Sequence, residues 1–168
     1  QQIALHSGET LTFDRLILAL GGETPLDIVP GAAEHALPFR SIADAHQLKN
    51  RLRLLEASDK DVIRIAVVGG GPSGVELACK LADRLGSRGR IRLIERNDCL
   101  LKQSPSFNQT AAQKALDQRG VWINLETTIQ QVNATDLVLA YKEQEDTIPI
   151  DLVLWTVGNA IAAPLKDL

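Results

Sequence analysis

Gly69, Gly71 and Gly74 stand in G-x-G-x-x-G spacing directly after the buried-strand pattern Ile63–Val68, with Gly70, Pro72 and Ser73 completing the turn. Small residues between a buried strand and a helix let backbone amides approach a phosphate. Gly69 permits a tight turn out of the strand. Gly71 keeps a side chain away from a pyrophosphate, and Gly74 lets helix and strand come close. The helix N-terminus offers free amides and the positive end of its macrodipole to the same anion. Pro72 suits the first helical turn, where its missing amide has no partner. Glu95 ends the next apolar strand. Its carboxylate is placed to accept both hydroxyls of an adenosine ribose and to repel a 2′-phosphate. The chemistry expected is dinucleotide binding, NADH before NADPH, with Arg96 as the neighbour able to turn toward a 2′-phosphate.

Glu76 follows Gly74 by two residues and is expected in the first helical turn. There a carboxylate either satisfies the helix dipole or reaches the crevice beside a nicotinamide, and the sequence leaves both open. The plainer alternatives are a glycine turn without cofactor and a solvated acid at 95. The strand–turn–helix–acid order argues against both. No Ser-His-Asp or Cys-His arrangement stands out, and His6, His35 and His46 are dispersed, so neither acyl transfer nor metal ligation is expected. Hydride transfer needs no acid or base here, only a nicotinamide held against an acceptor.

The elements that must position these residues read as follows. Ile63–Val68 and Ile91–Glu95 are parallel strands flanking a crossover helix over Pro72–Leu85, with Val75, Ala78, Ala82 and Leu85 inward. Ser104-Pro105 reads as a cap and first-turn proline for a helix through Arg119, stopped by Gly120. Val121–Asn124 returns to the sheet, Thr128–Val132 and Leu137–Lys142 form an antiparallel meander, and Ile148–Trp155 is one last long strand. Upstream, Gln2–Leu5 and Thr10–Thr12 flank a Ser7-Gly8 turn, and Leu16–Leu20 reads as a buried strand ending at Gly21-Gly22. Residues 23–40 read as loop. Ser41-Ile-Ala-Asp44 is a capping box before a helix that places Ile42, Ala45, Leu48, Leu52 and Leu55 on one side. Ser58–Asp61 reads as a polar hinge and domain boundary. The fold class expected is α/β: a Rossmann-like, three-layer nucleotide-binding domain of the FAD/NAD(P)-binding type, with a parallel sheet, crossover helices and an antiparallel meander.

The 168 residues suffice for one full domain and part of another. With 18 basic and 21 acidic residues and no basic block, nucleic acid is a poor partner. The apolar runs are too short for a membrane span. Two cysteines without C-x-x-C spacing read as buried thiols of a reduced, cytoplasmic protein. The chain opens on Gln-Gln and contains no methionine, which reads as a boundary within a longer protein.

Several segments together resemble a known family. Phe13–Gly22 resembles the segment leading out of the first flavin-domain portion of two-dinucleotide-fold flavoproteins. Pro30-Gly31, Glu34–Ala36 and Ser41–Ala45 resemble the linker into the nucleotide domain of type II NAD(P)H:quinone dehydrogenases. Gly74–Ala78 is similar to that family in particular. Asp151–Gly158 resembles the segment that re-enters the flavin domain, and its Trp-Thr-Val-Gly wording is most similar to the cyanobacterial and plastid branch.

The resemblance implies an FAD-dependent electron-transport enzyme passing a hydride from NAD(P)H to flavin and electrons to a membrane quinone, with a demethylnaphthoquinone the narrower substrate. It carries a nicotinamide–quinone role onto Glu76 and places Gly158 at the cofactor. It implies a remnant of the flavin domain and linker helix at 1–61, the NAD(P)H domain at 62–158 and a return to the flavin domain at 159–168. This fragment alone is expected to bind NADH weakly, not to retain FAD and to be inactive. The complete protein is expected at the cytoplasmic face of a plasma or thylakoid membrane, and a homodimer stays open. The nucleotide domain of a flavoprotein disulfide or ferredoxin reductase, and a non-catalytic NAD-binding redox sensor, are the competing readings.

Overall fold

The computed structural model describes residues 1–158, Ala160 and Ile161. Strands β1 (Gln2–Ala4), β2 (Thr10–Thr12) and β3 (Gly22–Glu23) come first. Helix α1 (Ala32–His35), β4 (Ala36–Pro38), α2 (Ile42–Glu56), β5 (Ile63–Val68), α3 (Pro72–Leu85) and β6 (Gly89–Ile94) follow. The chain continues through α4 (Ser106–Asp117), β7 (Trp122–Asn124), β8 (Thr127–Val132), β9 (Asp136–Tyr141), β10 (Gln144–Pro149), β11 (Leu152–Trp155) and β12 (Ala160–Ile161).

The chain divides into two compact units, and the smaller combines Gln1–Glu23 with the chain from Ala160. In it β1 and β2 form an antiparallel hairpin around the expected Ser7-Gly8 turn, and β3 pairs with β12. Leu16–Leu20, expected as a buried strand, is irregular, and Ile17 is 89% exposed. No described strand lies in register with it, and an extended segment without a ladder partner leaves its polar backbone to solvent. The expected return at 159–168 lies outside the described residues except for β12.

The larger unit, Thr24–Asn159, is built on β5. Ile63, Ile65 and Val67 bury toward one face, Ala66 and Val68 toward the other, as a central parallel strand must. The all-parallel sheet has the order β4-β11-β5-β6-β7. Helices α2, α3 and α4 cover one face with Leu48, Leu52, Val75, Ala78, Leu81 and Leu116. The antiparallel meander β8-β9-β10 covers the other with Val132, Leu137, Leu139 and Ile148. This is the expected three-layer architecture.

Several details differ from expectation. Ala36–Pro38, read as loop, is the edge strand beside β11, paired Leu37 to Leu154. Ile148–Trp155 is two strands: Pro149 ends β10, and the Asp151 amide donates to Arg64 O while its carboxylate accepts the Arg64 amide, turning the chain from meander to sheet. Proline cannot donate to a ladder, so the continuous reading fails there. Ile42 is 79% exposed, although Leu48 and Leu52 on the same helix are buried. Ser104 does not cap α4; Pro105 is its N-cap, without a side-chain bond.

The compact unit begins at Thr24, and Ser58–Asp61, expected as a polar hinge, lies within it. Arg88 holds that hinge by donating to the carbonyls of Glu56, Ser58 and Lys60. Lys60 pairs with Asp151, and Glu56 takes a two-pronged bond from Arg84 at 2.7 and 2.8 Å. The Arg84 guanidinium holds the Glu56 carboxyl below its ordinary range. Arg88→Ala strips three carbonyls of their donor and is expected to cost about 1–3 kcal/mol in urea unfolding. Arg88→Lys is expected not to restore the loss, because an ammonium lacks the planar fork.

The capping box at α2 forms as expected: the Asp44 amide donates to Ser41 Oγ at 3.2 Å and the Ser41 amide to Asp44 Oδ2 at 2.7 Å. Burial works against the Asp44 charge, but the bonds from Ser41 and Arg40 outweigh it and hold its carboxyl below the ordinary range. A folded-state pKa depressed in this way gives stability that is full above the unfolded value and lost as pH falls through the folded one. The stability gap between wild type and Asp44→Asn, measured by urea unfolding, is therefore expected to shrink in acid.

Candidate functional site

The C-terminal ends of β5, β6 and β11 meet where the chain order reverses, β6 lying on one side of β5 and β11 on the other. Ligands of open α/β sheets bind at such switch points. The strand ends are laced together. Gly69 N donates to Ile94 O at 2.8 Å, while Thr156 gives both its amide, at 3.0 Å, and its hydroxyl, at 2.7 Å, to Val68 O.

Gly69 leaves β5 with φ +112°, a conformation side chains rarely adopt, and a Cβ there would strike Val157 and Thr156. Gly74 sits against the Gly69 carbonyl oxygen, in a space that a methyl group would have to share. Gly71 is different. As N-cap of α3 its backbone is extended, and a Cβ there would meet nothing. Its missing side chain serves the open space above the turn. Pro72 takes the first helical turn, Ser73 is exposed beside it, and the first amides of α3 have no intrahelical acceptor.

Glu95 is 8% exposed and does more than expected. Its Oε2 accepts the Gly70 amide at 2.6 Å, and its Oε1 accepts the Asn97 amide at 2.8 Å and the Asn97 Nδ2 at 2.6 Å. A carboxylate offers about four acceptor sites. Three are taken, which leaves room for one further donor and not for the two ribose hydroxyls expected. The Glu95 carbonyl accepts the Thr127 amide and the Glu95 amide donates to Asn124 O, so the acid is fixed from the backbone outward.

A crevice of about 460 Å³ opens over these strand ends. Gly69, Gly71, Glu95, Arg96 and Gly158 all line it, so the structure brings half of the expected site residues to one crevice. Gly70 stands behind the turn against Leu100 and Glu95, and Arg96 is exposed at the rim. Gly158 has φ +87° and lies against Pro25. Glu76 is not among the lining residues. It is exposed and starts the second turn of α3, whose first turn contains no acid, so the expected first-turn position is corrected. Dipole interactions fall off within one turn. Asn97, Thr156 and Trp155 also line the crevice and were missed by sequence reading. Only Thr156 carried a signal, as the polar residue closing the apolar run at Trp155. Trp155 is 2% exposed, and its indole nitrogen is buried without a partner among the described residues.

A hollow of about 500 Å³ lies by contrast at the start of β11, lined by Glu34, His35, Gln47, Asn50 and Arg51 among others. It lacks the glycine turn and the helix N-terminus. Among the described residues no His, Cys, Asp and Glu cluster could hold a metal ion, and no helix is long and apolar enough to cross a membrane.

The switch point, the glycine turn and the strand-end acid define a Rossmann-like three-layer α/β fold, its parallel sheet covered by helices on one face and by the antiparallel meander on the other. The chain belongs to the pyridine nucleotide-disulphide oxidoreductase family, whose model it matches over residues 1–167. It is 53% identical over 160 residues to demethylphylloquinone reductase NdbB of Synechocystis sp., covering 95% of this chain and 40% of that one. It is 37% identical over 171 residues to the alternative NAD(P)H-ubiquinone oxidoreductase C1, chloroplastic/mitochondrial, of Arabidopsis thaliana, covering 93% of this chain and 33% of the other. The fold matches that of NDH2 from Plasmodium falciparum, solved in complex with NADH, with a TM-score of 0.81 at 20% identity, over 96% of this chain and 38% of that one. The chain thus spans well under half the length of these relatives.

The two glycines predict opposite phenotypes. Gly71→Val is expected to abolish NADH binding in calorimetry while leaving a folded protein, because a Cβ there meets no protein atom. Gly74→Ala is expected to lower stability by about 1–3 kcal/mol, because α3 must move off β5.

Proposed function

We propose that this chain is the NAD(P)H-binding part of a flavoprotein that reduces a membrane quinone, with a demethylphylloquinone-type naphthoquinone as the narrower substrate. The observation that carries it is the pairing of the glycine turn with the buried Glu95 at the switch point, in a chain 53% identical to a demethylphylloquinone reductase. When bound, the nicotinamide supplies a hydride, which FAD accepts in the complete protein. The residues of this chain bind and orient. Gly71 and Ser73 receive the pyrophosphate on the first amides of α3. Glu95 accepts a ribose hydroxyl on its remaining site and repels a 2′-phosphate. Thr156 and Gly158 form the floor at the other end.

In this reading Gln1–Glu23 and the chain from Ala160 belong to the flavin domain, and Thr24–Asn159 is the nucleotide domain. The exposed Leu16, Ile17, Leu18 and Leu20 suit a segment that flavin-domain strands cover. The complete protein then works at the cytoplasmic face of a plasma or thylakoid membrane. A role for Glu76 at the nicotinamide–quinone end rests on the family resemblance.

Calorimetry of the purified chain is expected to show NADH binding more tightly than NADPH, and its visible spectrum is expected to lack stoichiometric FAD. Failure to bind either nucleotide would overturn the reading. In the complete enzyme, Glu76→Gln is expected to slow flavin reduction or reoxidation in rapid-mixing experiments. Unchanged rates of both steps would remove Glu76 from the mechanism.

A further inference from the structure

The indole N–H of Trp155 is a buried donor with no acceptor among the described residues. Such a group costs about 1–3 kcal/mol, and folded proteins rarely leave one unpaired. The rest of the ring is well accounted for. It packs on the meander face of the sheet with Val68, Ile94, Val132 and Val153. A phenyl ring would serve that packing without the unpaired group. Trp155 also lines the crevice, at the C-terminal end of β11.

Its place along the crevice follows from the topology. Glu95 follows β6 on one side of β5, the glycine turn follows β5 itself, and Trp155 closes β11 on the opposite side. A dinucleotide with its adenosine ribose on Glu95 and its pyrophosphate over the turn carries its other half across the end of β11. That end is poor in side-chain donors. The Thr156 hydroxyl is committed to Val68 O, and Val157 has none to offer.

We infer that Trp155 is a positioning residue for the nicotinamide half of the bound dinucleotide, its indole N–H donating to an oxygen of that half. The inference rests on the NAD(P)H reading above. The nitrogen is covered by its neighbours, so this donation requires the ring to turn toward the crevice when the ligand binds.

The chain has two tryptophans, and Trp122 is 58% exposed on the edge strand, so their indole N–H signals in a ¹⁵N-labelled sample are separable, with Trp122→Phe giving the assignment. NADH is expected to move the Trp155 signal downfield and slow its exchange with solvent. ADP, which lacks the nicotinamide half, is expected to leave it in place while binding. Trp155→Phe is expected to weaken NADH about tenfold, the loss of one hydrogen bond, and to leave ADP affinity unchanged. A Trp155 signal unmoved at NADH saturation, or moved equally by ADP, overturns the inference while the NAD(P)H reading stands. Absence of NADH binding by the wild-type chain overturns both. The wild-type spectra decide the matter even if Trp155→Phe fails to fold.

Discussion

The first turn of helix α3 meets the turn out of strand β5 with no side chain between Gly74 and Gly69. The Gly69 carbonyl lies where a Cβ at 74 would sit, and this single close approach sets the rest of the nucleotide end. It brings the first amides of α3 to the mouth of the sheet. It lets Gly69 turn back tightly enough to donate to Ile94 O, which joins β5 to β6 at their ends. It also carries Gly70 into reach of the Glu95 carboxylate. Were the helix displaced outward by the width of a methyl group, these contacts would all lengthen together.

That contact is local in sequence, which is why the site could be read from the chain. Gly69, Gly71 and Gly74 lie within six residues, and their spacing encodes the turn whatever surrounds it. The second role of Glu95 was hidden, because its bond to Gly70 exists only once β5 and β6 stand side by side. Trp155 was hidden for a related reason: an apolar run announces burial, but an indole nitrogen lacking an acceptor emerges only from three-dimensional packing.

The misread elements share a dependence on distant partners. Ala36–Pro38 has three residues and a proline, too little to signal a strand, and becomes one only because β11 offers an edge. Ile148–Trp155 carries an unbroken apolar rhythm, but Asp151 ties the chain to Arg64, and the rhythm serves two sheets in succession. At Ser58–Asp61 the composition is that of a linker, while Arg88, thirty residues on, gathers its carbonyls. Polar residues there bind the chain to the domain and do not release it.

The bond between Glu95 and the Gly70 amide ties two properties that are usually treated as separable. If the crevice takes NADH as proposed, a replacement for this acid that admits a 2′-phosphate but carries no acceptor also strips a backbone amide of the glycine turn of its partner. A shorter or cationic side chain would open space for the extra phosphate and at the same time loosen the loop that must grip the pyrophosphate. On that proposal, drift toward the phosphorylated coenzyme is uphill at its first step unless the new side chain, or another group, supplies an acceptor for Gly70. In evolution or in the laboratory, the turn and the acid have to be rewritten as a pair.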